Sequence, residues 1–441
     1  MKKNKKAMDA KSLVAIDFAS TGIRALAAEV LDDRTLRILS DELRKVDGIK
    51  NGIISQASGT AFNVSALLKE LQNSAGLHES IRELSAAVGG KGMRIVPFTS
   101  RNSFRKSTVI TPELIDKMAQ SCEKEFRQEG LAVYDVIPLS YKVDGREMEK
   151  PEGQKANEII GNYHLVVGNE LIKKQMQKCM ERIHQSDITF TPIAAEAFSL
   201  AVSTDEEREE GCAVINFGHT STTLAIYKQD ILQHLMVIPL GSYNITKDIE
   251  ETGISEESAE KLKCLKGVCM EHLIEKPMNI RIANRNPDSP PIVLTDRFVA
   301  LIIEARLDEM MEPILRELKG RILDLPHGII LTGGGAKLGM LKEYMEERTG
   351  IYIRHGDHTG WLSADSDPKY ADPGYSQVIG TLLLAHAASQ SEELEHNRKQ
   401  EEAVEDKKKP TRRRFFGEAL SQGIFRFFED DTDLQRPKAK A

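Results

Sequence analysis

Asp17 and Asn216 each stand at the end of an apolar segment and before a turn of small and hydroxyl residues. Segment 13–27 reads LVAIDFASTGIRALA, and segment 213–227 reads AVINFGHTSTTLAIY. Both patterns predict two strands joined by a tight turn. Such a turn can bind phosphate through backbone N–H groups and hydroxyls, and a carboxylate beside it can hold hydrated magnesium. One copy is weak evidence, because ordinary surface hairpins use the same residues, but the repeat favours a paired phosphate site.

A third candidate lies at 333–335, where the apolar strand 328–332 runs into three consecutive glycines and then a helical segment. Glycine suits backbone that packs closely against a base or ribose, although an ordinary strand-to-helix turn also uses it. The order of hairpin, second hairpin and glycine triplet resembles the actin, Hsp70 and sugar-kinase superfamily. That resemblance implies two related lobes that close on ATP.

Composition limits the classes of function. A chain of 441 residues predicts more than one domain, and 40% hydrophobic residues with mixed charge indicate a folded, soluble protein. The net charge of −7 argues against general nucleic-acid binding. The cysteines contain no CxxC pair, so we expect buried or idle thiols in a reducing cytosol. They are Cys122, Cys179, Cys212, Cys264 and Cys269.

Membrane contact is expected to be peripheral. The basic start, 1–10, precedes an apolar run that is too short for a signal peptide, and no stretch approaches the ~20 apolar residues that cross a bilayer. Near the other end, the charged segment 391–411 is predicted to be a solvated linker, and 412–430 a helix with one apolar face behind a basic cluster. Such a face usually packs on the protein's own core, but the linker favours binding to an anionic membrane. The predicted membrane residues are Arg412, Arg413, Arg414, Phe415, Phe416, Leu420, Ile424, Phe427 and Phe428.

Two further stretches carry a more specific resemblance. Segment 234–267, HLMVIPLGSYNITKDIEETGISEESAEKLKCLKG, and segment 135–145, DVIPLSYKVDG, are similar to stretches of the FtsA family of bacterial actin homologues. This family anchors the tubulin-like protein FtsZ to the cytoplasmic membrane. The similarity covers nearly the whole chain and separates it from Hsp70s and sugar kinases.

The resemblance implies an α/β, actin-like two-lobed fold of duplicated RNase H-like domains. A small α+β insert of the SHS2 type interrupts the first lobe, and an amphipathic helix follows the second. The expected boundaries are a basic tail at 1–10, the first lobe at 11–84, 167–204 and 361–390, the insert at 85–166, the second lobe at 205–241 and 301–360, its subdomain at 242–300, the linker at 391–411 and the membrane helix at 412–430.

Site residues follow from the same resemblance, position by position. The two hairpins would contact phosphates, with magnesium held through water at Asp17, while the glycine triplet would line the adenosine side. Glu260 and Lys263 match the family's Ala-Glu-x-x-Lys and would approach ribose or base. The implied nucleotide residues are Asp17, Ser20, Thr21, Asn216, Gly218, Thr220, Ser221, Glu260, Lys263, Gly333, Gly334 and Gly335.

Partners are implied as well. The expected partners are the FtsZ C-terminal tail, further copies of the chain, anionic lipid and later division proteins, with no nucleic acid. The protein would then lie on the cytoplasmic side of the cell membrane at the Z ring, where the septum forms. Because the FtsZ tail is acidic, Arg281, Arg285 and Arg297 in the second lobe are candidate contacts, although solvated surface arginines would look the same.

Three positions depart from the family pattern. Asn216 replaces the usual Asp of the second hairpin, His219 replaces a Gly there, and Ala19 replaces a Gly of the first. Asparagine keeps hydrogen-bonding shape but loses the charge that would hold a divalent ion or orient water. His219 could serve as a general base, but a bulky side chain in place of glycine more simply narrows the pocket. We therefore expect ATP binding with weak or absent ATPase activity. The alternatives are a pilus-assembly type of actin-like scaffold and a small-metabolite kinase of the same superfamily.

Overall fold

The first predicted hairpin forms the centre of a sheet in the computed structural model, which describes residues 12–78, 80–183 and 186–405, with 392–405 as backbone. Successive side chains of a strand point to opposite faces of the sheet, so each strand contributes apolar residues to the packing on both faces. Ile16, Ile23 and Ala25 pack against one helix, and Leu13 and Leu26 face the opposite side of the sheet. The elements here are β1 (Ser12–Ala19), β2 (Gly22–Val30), β3 (Leu36–Arg44), β4 (Ile49–Lys50), β5 (Ile53–Ile54), α1 (Ala57–Ser74) and β6 (Glu83–Ser85).

Within the segment predicted as an insert, long antiparallel strands pack against one helix. Ile115, Met118 and Cys122 on the buried face of this helix meet Tyr163 and Leu165 of the strands in a separate core. Its strands lie in the order β7, β10, β8 and β9, and they continue the sheet of the second lobe into one nine-stranded sheet, because Arg94 of β7 pairs with Met236. Its elements are β7 (Arg94–Val109), α2 (Pro112–Glu125), β8 (Leu131–Val143), β9 (Arg146–Met148) and β10 (Lys155–Asn169).

The chain then returns to the first lobe. There β1 and β2 pair antiparallel, as do β2 and β3, whereas β6 is parallel to β1, and the next strand adds in parallel beside β6. The returning elements are α3 (Glu170–Met180), β11 (Asp187–Phe190) and α4 (Ala194–Val202), which complete the sheet order β11, β6, β1, β2, β3.

The second lobe repeats this sheet. Its strands run in the order β18, β17, β12, β13, β14, with an antiparallel meander on one side and parallel strands on the other, as in the first lobe. The repeat in the fold matches the repeat in sequence. Its elements are α5 (Asp205–Glu210), β12 (Cys212–Phe217), β13 (Thr222–Lys228), β14 (Ile231–Ile238), α6 (Ser242–Glu250), α7 (Glu256–Lys266), β15 (Asn279–Ile282), β16 (Ile292–Thr295), α8 (Asp296–Lys319), β17 (Ile329–Thr332), α9 (Leu341–Thr349) and β18 (Ile353–His355).

The long helix α10 (Ser376–Glu405) joins the second lobe back to the first. Val378, Ile379 and Leu382 of this helix are buried on the face of the first sheet that α1 leaves open. Gly380 lets it approach α4, since a Cβ there would lie 1.7 Å from the Ala197 carbonyl oxygen. The helix extends beyond the predicted boundary at residue 390, so the first part of the linker predicted at 391–411 is helical.

The predicted tail, 1–10, and the predicted membrane helix, 412–430, lie outside the described residues. Within the described part of the chain, no helix is both long and apolar enough to span a bilayer. Four of the cysteines are buried and Cys264 is exposed.

Candidate functional site

The first hairpin turns within two residues, Ser20 and Thr21, because Ala19 and Gly22 are cross-strand partners. Gly22 has φ +145°, and a Cβ there would lie 2.5 Å from the Arg44 carbonyl oxygen, so this position requires glycine. The same register pairs Asp17 with Arg24. Cross-strand partners project on one face of a sheet, which places a carboxylate and a guanidinium side by side.

The Asp17 carboxyl is held by a neighbour from the other end of the chain. The Gln377 side-chain amide, at the start of α10, donates a hydrogen bond of 2.8 Å to Asp17 Oδ1. Burial raises the pKa of Asp17 to about 6, although Arg24 and the Gln377 hydrogen bond act in the opposite direction. At neutral pH the carboxyl is therefore mostly ionised, but with a substantial desolvation cost.

The second hairpin has a wider turn, in which the Gly218 N–H donates to the Ser221 carbonyl oxygen at 3.0 Å. Helix α6 holds this turn, because the first free N–H groups of the helix, from Ser242 and Tyr243, donate to the carbonyls of Gly218 and His219. The His219 ring packs on Tyr243 with centroids 4.9 Å apart. Burial and the nearby Lys263 ammonium lower the pKa of His219, so its imidazole is neutral at pH 7.

Asn216 lies against the glycine triplet because β12 and β17 are parallel and Asn216 pairs with Thr332. A Cβ on Gly333, which has φ +87°, would lie 2.2 Å from Asn216 Oδ1. A Cβ on Gly335 would lie 2.8 Å from the Phe217 ring, whereas a Cβ on Gly334 would meet nothing within 4 Å. Two of the three glycines thus allow packing inside the lobe, and the middle one is open toward the cleft.

Glu260 and Lys263 lie one helical turn apart on α7 and form an ion pair at 2.8 Å. Lys263 is buried, and its ammonium also donates to the Ser242 carbonyl at 3.0 Å and to the Thr246 hydroxyl at 2.9 Å. Burial opposes ionisation of Glu260, but hydrogen bonds from Lys263 and Thr246 outweigh it and lower the pKa of this carboxyl. The pair is therefore charged, with Lys263 saturated by protein oxygens.

These elements surround one cleft of about 1110 Å³ between the lobes. Each residue that the sequence assigns to the nucleotide lines it, and so does His219. The two hairpins touch across the cleft, since the hydroxyls of Ser20 and Thr220 form a hydrogen bond of 2.6 Å. The hydroxyls and backbone N–H groups of both hairpin turns therefore lie in the same cleft as Gly334.

Sequence reasoning missed several residues that line the same cleft. Arg24 lies over the Tyr375 ring at 3.9 Å and donates to the Gly374 carbonyl at 3.3 Å. Lys337, just after the glycines, bridges the lobes to Asp372 at 2.6 Å. Arg24 could have been found from sequence, because a two-residue turn after Ala19 fixes its pairing with Asp17. The residues of 368–377 gave no such signal, because only the fold brings them to the hairpin.

The predicted FtsZ contacts lie in the second lobe, away from the cleft. Arg281 is exposed on β15, opposite the exposed Val293 on β16. Arg285 bonds Glu250 at 2.9 Å, and Arg297 bonds Glu271 at 2.7 Å. Two of the three arginines therefore already have a carboxylate partner. The predicted membrane residues, 412–428, lie outside the described residues.

Curated relatives support the resemblance seen in sequence. The family model described as "Cell division protein FtsA" matches residues 213–380. The chain is 29% identical over 388 residues to the cell division protein FtsA of Bacillus subtilis, covering 84% of this chain and 83% of that protein. It is 24% identical over 380 residues to FtsA of Pseudomonas aeruginosa, covering 85% and 89%.

Solved structures share the fold at low identity. A PilM-PilN type IV pilus biogenesis complex matches with a TM-score of 0.60 and 14% identity, covering 85% of this chain and 98% of that chain. MreB5 of Spiroplasma citri bound to AMPPNP matches with a TM-score of 0.52 and 12% identity, covering 87% and 99%. The predicted actin-like fold is thereby confirmed. The family model and these relatives confirm the predicted similarity of this chain to the FtsA family of cell-division proteins.

Proposed function

We propose that the protein is an ATP-binding adaptor of cell division, which self-associates on the cytoplasmic face of the membrane and anchors FtsZ. One observation carries the nucleotide part of this proposal. The predicted phosphate residues of both hairpins, the glycine triplet and the Glu260–Lys263 pair line a single cleft between two repeated sheets. A ligand in this cleft would contact both lobes, so its binding would favour one relative arrangement of them.

Hydroxyls and turn N–H groups would bind the phosphates. Ser20, Thr21, Thr220 and Ser221 supply hydroxyls from the two turns. Gly334 would allow close approach of the adenosine, because its α-carbon is open to the cleft. Glu260 has one oxygen occupied by Lys263 and Thr246, and its ionised carboxylate can accept a further hydrogen bond from a ribose hydroxyl.

The residues fit phosphates better than they fit the magnesium ion that the resemblance implies. Magnesium is held by one or two carboxylates together with phosphates and waters. Here Asp17 is the hairpin carboxylate at this place, and it is engaged by Gln377 and lies beside Arg24, while Asn216 is uncharged. We therefore propose that this site binds the phosphates and that its residues do not form a magnesium site.

Nucleotide binding is tested by isothermal titration of the full-length protein with ATP. We expect binding, and a Thr220→Val substitution should weaken it about tenfold by removing a hydroxyl donor from the second turn. Thr359→Val is a matched control, because this threonine bonds Asp357 on an exposed loop outside the cleft. An unmutated protein that does not bind ATP would refute the nucleotide assignment.

Hydrolysis is expected to be slow or absent. No negative charge stands at Asn216 to orient an attacking water, and the neutral imidazole of His219 packs on Tyr243. Phosphate release by the purified protein should stay near background, beside an Asn216→Asp variant that restores the family's carboxylate. Rapid turnover by the unmutated chain would contradict this expectation.

FtsZ binding is assigned to the surface around β15 and β16. Arg281 lies there opposite the exposed Val293, and the chain around these two strands carries further exposed apolar residues, which suits a short peptide that has both acidic and apolar side chains. The apolar residues are Leu273, Met278, Val293, Phe298 and Leu301.

A peptide with the sequence of the FtsZ C-terminal tail should bind the full-length protein, and Arg281→Glu should weaken binding at least about tenfold by charge reversal. Arg316→Glu is the control, because Arg316 is also an exposed arginine of this lobe and lies on the later part of α8. Equal loss in both variants would indicate general electrostatics and not a defined surface. Absence of any tail binding would favour the other actin-like scaffold as the function.

Membrane anchoring is assigned to 412–430 on its sequence alone. Deleting 412–441 should release the protein from vesicles that contain anionic lipid, and should abolish any ATP-dependent assembly that requires that surface. Unchanged co-sedimentation of the truncated chain with the vesicles would refute the anchor.

A further inference from the structure

Arg24 has an environment unlike that of the other cations in the cleft. Lys263, Lys337 and Lys369 are each held by a carboxylate, from Glu260, Asp372 and Asp41 respectively. The Arg24 guanidinium is instead held by the Tyr375 ring at 3.9 Å and the Gly374 carbonyl at 3.3 Å. These two contacts orient the guanidinium and carry no net charge of their own, although Arg24 also attracts the nearby carboxylates of Asp17 and Asp372.

The position of Arg24 is where a bound triphosphate needs positive charge. It lines the cleft on the strand that follows the first phosphate turn, directly opposite Asp17. A guanidinium presents several N–H donors in a plane and binds two phosphate oxygens at once. Tyr375 and Gly374 fix its direction, so little side-chain freedom is lost when phosphate binds.

The oxygen ligands that would hold a divalent ion are reduced on the same side. Asn216 Oδ1 lies against Gly333, and its amide carries no charge. Asp17 accepts the Gln377 amide on one oxygen and has Arg24 as its cross-strand neighbour. A dication placed between these groups would be repelled by the guanidinium and attracted by one carboxylate only.

We propose that this cleft binds nucleoside triphosphate without a divalent cation, with Arg24 supplying the charge that the ion would otherwise supply. The inference rests on the proposed nucleotide binding and refines it. The expected ligand is a nucleotide without a bound metal ion. Asn216 then has a second consequence beside slow hydrolysis, because the missing carboxylate would no longer hold an ion and Arg24 would balance the phosphate charge.

The test is equilibrium binding of ATP to the full-length protein, measured by titration calorimetry in buffer with magnesium and again with EDTA. The two dissociation constants should agree within about threefold, a difference below 1 kcal/mol. A tenfold or greater loss in EDTA would overturn the inference while leaving the proposed function intact. Absence of binding in both buffers would instead refute the proposed function.

Substitutions test whether Arg24 supplies the positive charge that binds the phosphates. Arg24→Gln should weaken binding in EDTA by about tenfold or more, because a hydrogen-bonded cation is removed from phosphate, and Arg24→Lys should recover part of the loss. Arg37→Gln, which removes an arginine that pairs with Glu29 outside the cleft, should have no effect. Asn216→Asp should restore the dependence on magnesium, since a second carboxylate then faces the cleft.

Circular dichroism melting of each variant separates loss of folding from loss of binding. If Arg24→Gln does not fold, Arg24→Lys and Asn216→Asp still decide the matter. Binding by Asn216→Asp that is as insensitive to EDTA as the unmutated protein would contradict the role given to Asn216.

Discussion

The two hairpins occupy equivalent places in two equivalent sheets, yet they hold their strand-end residues differently. In the first, Asp17 keeps its charge, with Gln377 and Arg24 as neighbours from other strands and helices. In the second, Asn216 has no charge and lies against Gly333, and the turn is closed by helix α6. At the strand end, the first copy has a carboxyl group that can titrate, and the second has an amide that keeps only its hydrogen-bonding shape.

This difference indicates which features the fold itself demands. Both copies need a close turn and a strand end that meets the next element, and both sheets supply these through the same strand order. The charge at the strand end is not needed for the sheet to form, because the second lobe forms it with an amide. The charge at the strand end can therefore differ between the two copies while the fold stays the same.

The largest effect is expected for Gly333→Ala, which tests the packing of the second hairpin. The added Cβ would lie 2.2 Å from Asn216 Oδ1 at a backbone φ of +87°, so both a clash and backbone strain oppose it. We expect the free energy of unfolding, measured with urea, to fall by about 3 kcal/mol.

Gly334→Ala is the matched control for that change. Its Cβ would meet nothing within 4 Å, so unfolding should change by less than about 1 kcal/mol. Nucleotide binding should nevertheless weaken, because the methyl group enters the cleft. Equal destabilisation by both substitutions would contradict the distinct roles given to the two glycines.

Asp17→Asn tests the first hairpin by making it resemble the second. Burial raises the pKa of Asp17 in the folded protein to about 6, above the ordinary value of about 4 for an aspartate, so the folded state binds the proton more tightly than the unfolded state. Stability therefore falls as pH rises from about 4 to about 6, and the full cost of the ionised form applies above that range.

The side-chain amide in the Asp17→Asn variant is uncharged at every pH, so the folded variant does not have the free-energy cost of a buried carboxylate. The variant should be more stable than the unmutated protein at pH 7 by about 2 kcal/mol, since partial exposure of Asp17 to solvent reduces the ~3 kcal/mol that the shift would give. The difference should shrink toward pH 4. Urea unfolding across this pH range measures it, and a difference that is independent of pH would exclude the buried carboxyl as its source.

The Ser20 and Thr220 hydroxyls connect the two hairpins, so a double-mutant cycle of Ser20→Ala and Thr220→Val tests whether the copies are coupled. Without nucleotide, a coupling free energy of about 1 kcal/mol is expected from one hydrogen bond. With ATP present, phosphates compete for both hydroxyls, and the coupling should fall toward zero. A coupling that ATP leaves unchanged would place the phosphates elsewhere.

Sequence reasoning found the hairpins and the glycine triplet because each is a local pattern of residue types. The α7 pair and the duplicated fold followed from the resemblance to the FtsA family and to the actin superfamily. What it could not give are contacts between distant segments. Asp41 accepts hydrogen bonds from the side chains of Lys369, Tyr370 and Tyr375, and no local pattern joins residues more than three hundred positions apart.

These long-range contacts also position residues of the candidate nucleotide site. The Tyr375 hydroxyl donates to Asp41 of β3, and the Arg24 guanidinium lies over the Tyr375 ring. The loop that contains Tyr375 and lines the cleft is therefore positioned by a strand of the first sheet. The extension of α10 into the predicted linker has another cause. Its residues are polar but are good helix formers, and composition alone does not distinguish a solvated helix from a solvated coil.

His219→Gln should have the smallest effect and the opposite sign to that of Asp17. Burial and Lys263 lower the pKa of His219 in the folded protein, so the unfolded state binds the proton more tightly. Stability is then lost as pH falls below the unfolded pKa of about 6.5, and the loss should be small because the imidazole is partly exposed. Glutamine does not titrate, so the variant should lose this dependence at pH 5 to 6.5 while keeping that of Asp17. Urea unfolding of the two single variants and the double variant separates the contributions, and a pH dependence in His219→Gln that matches the unmutated protein would show that the second hairpin does not titrate at all.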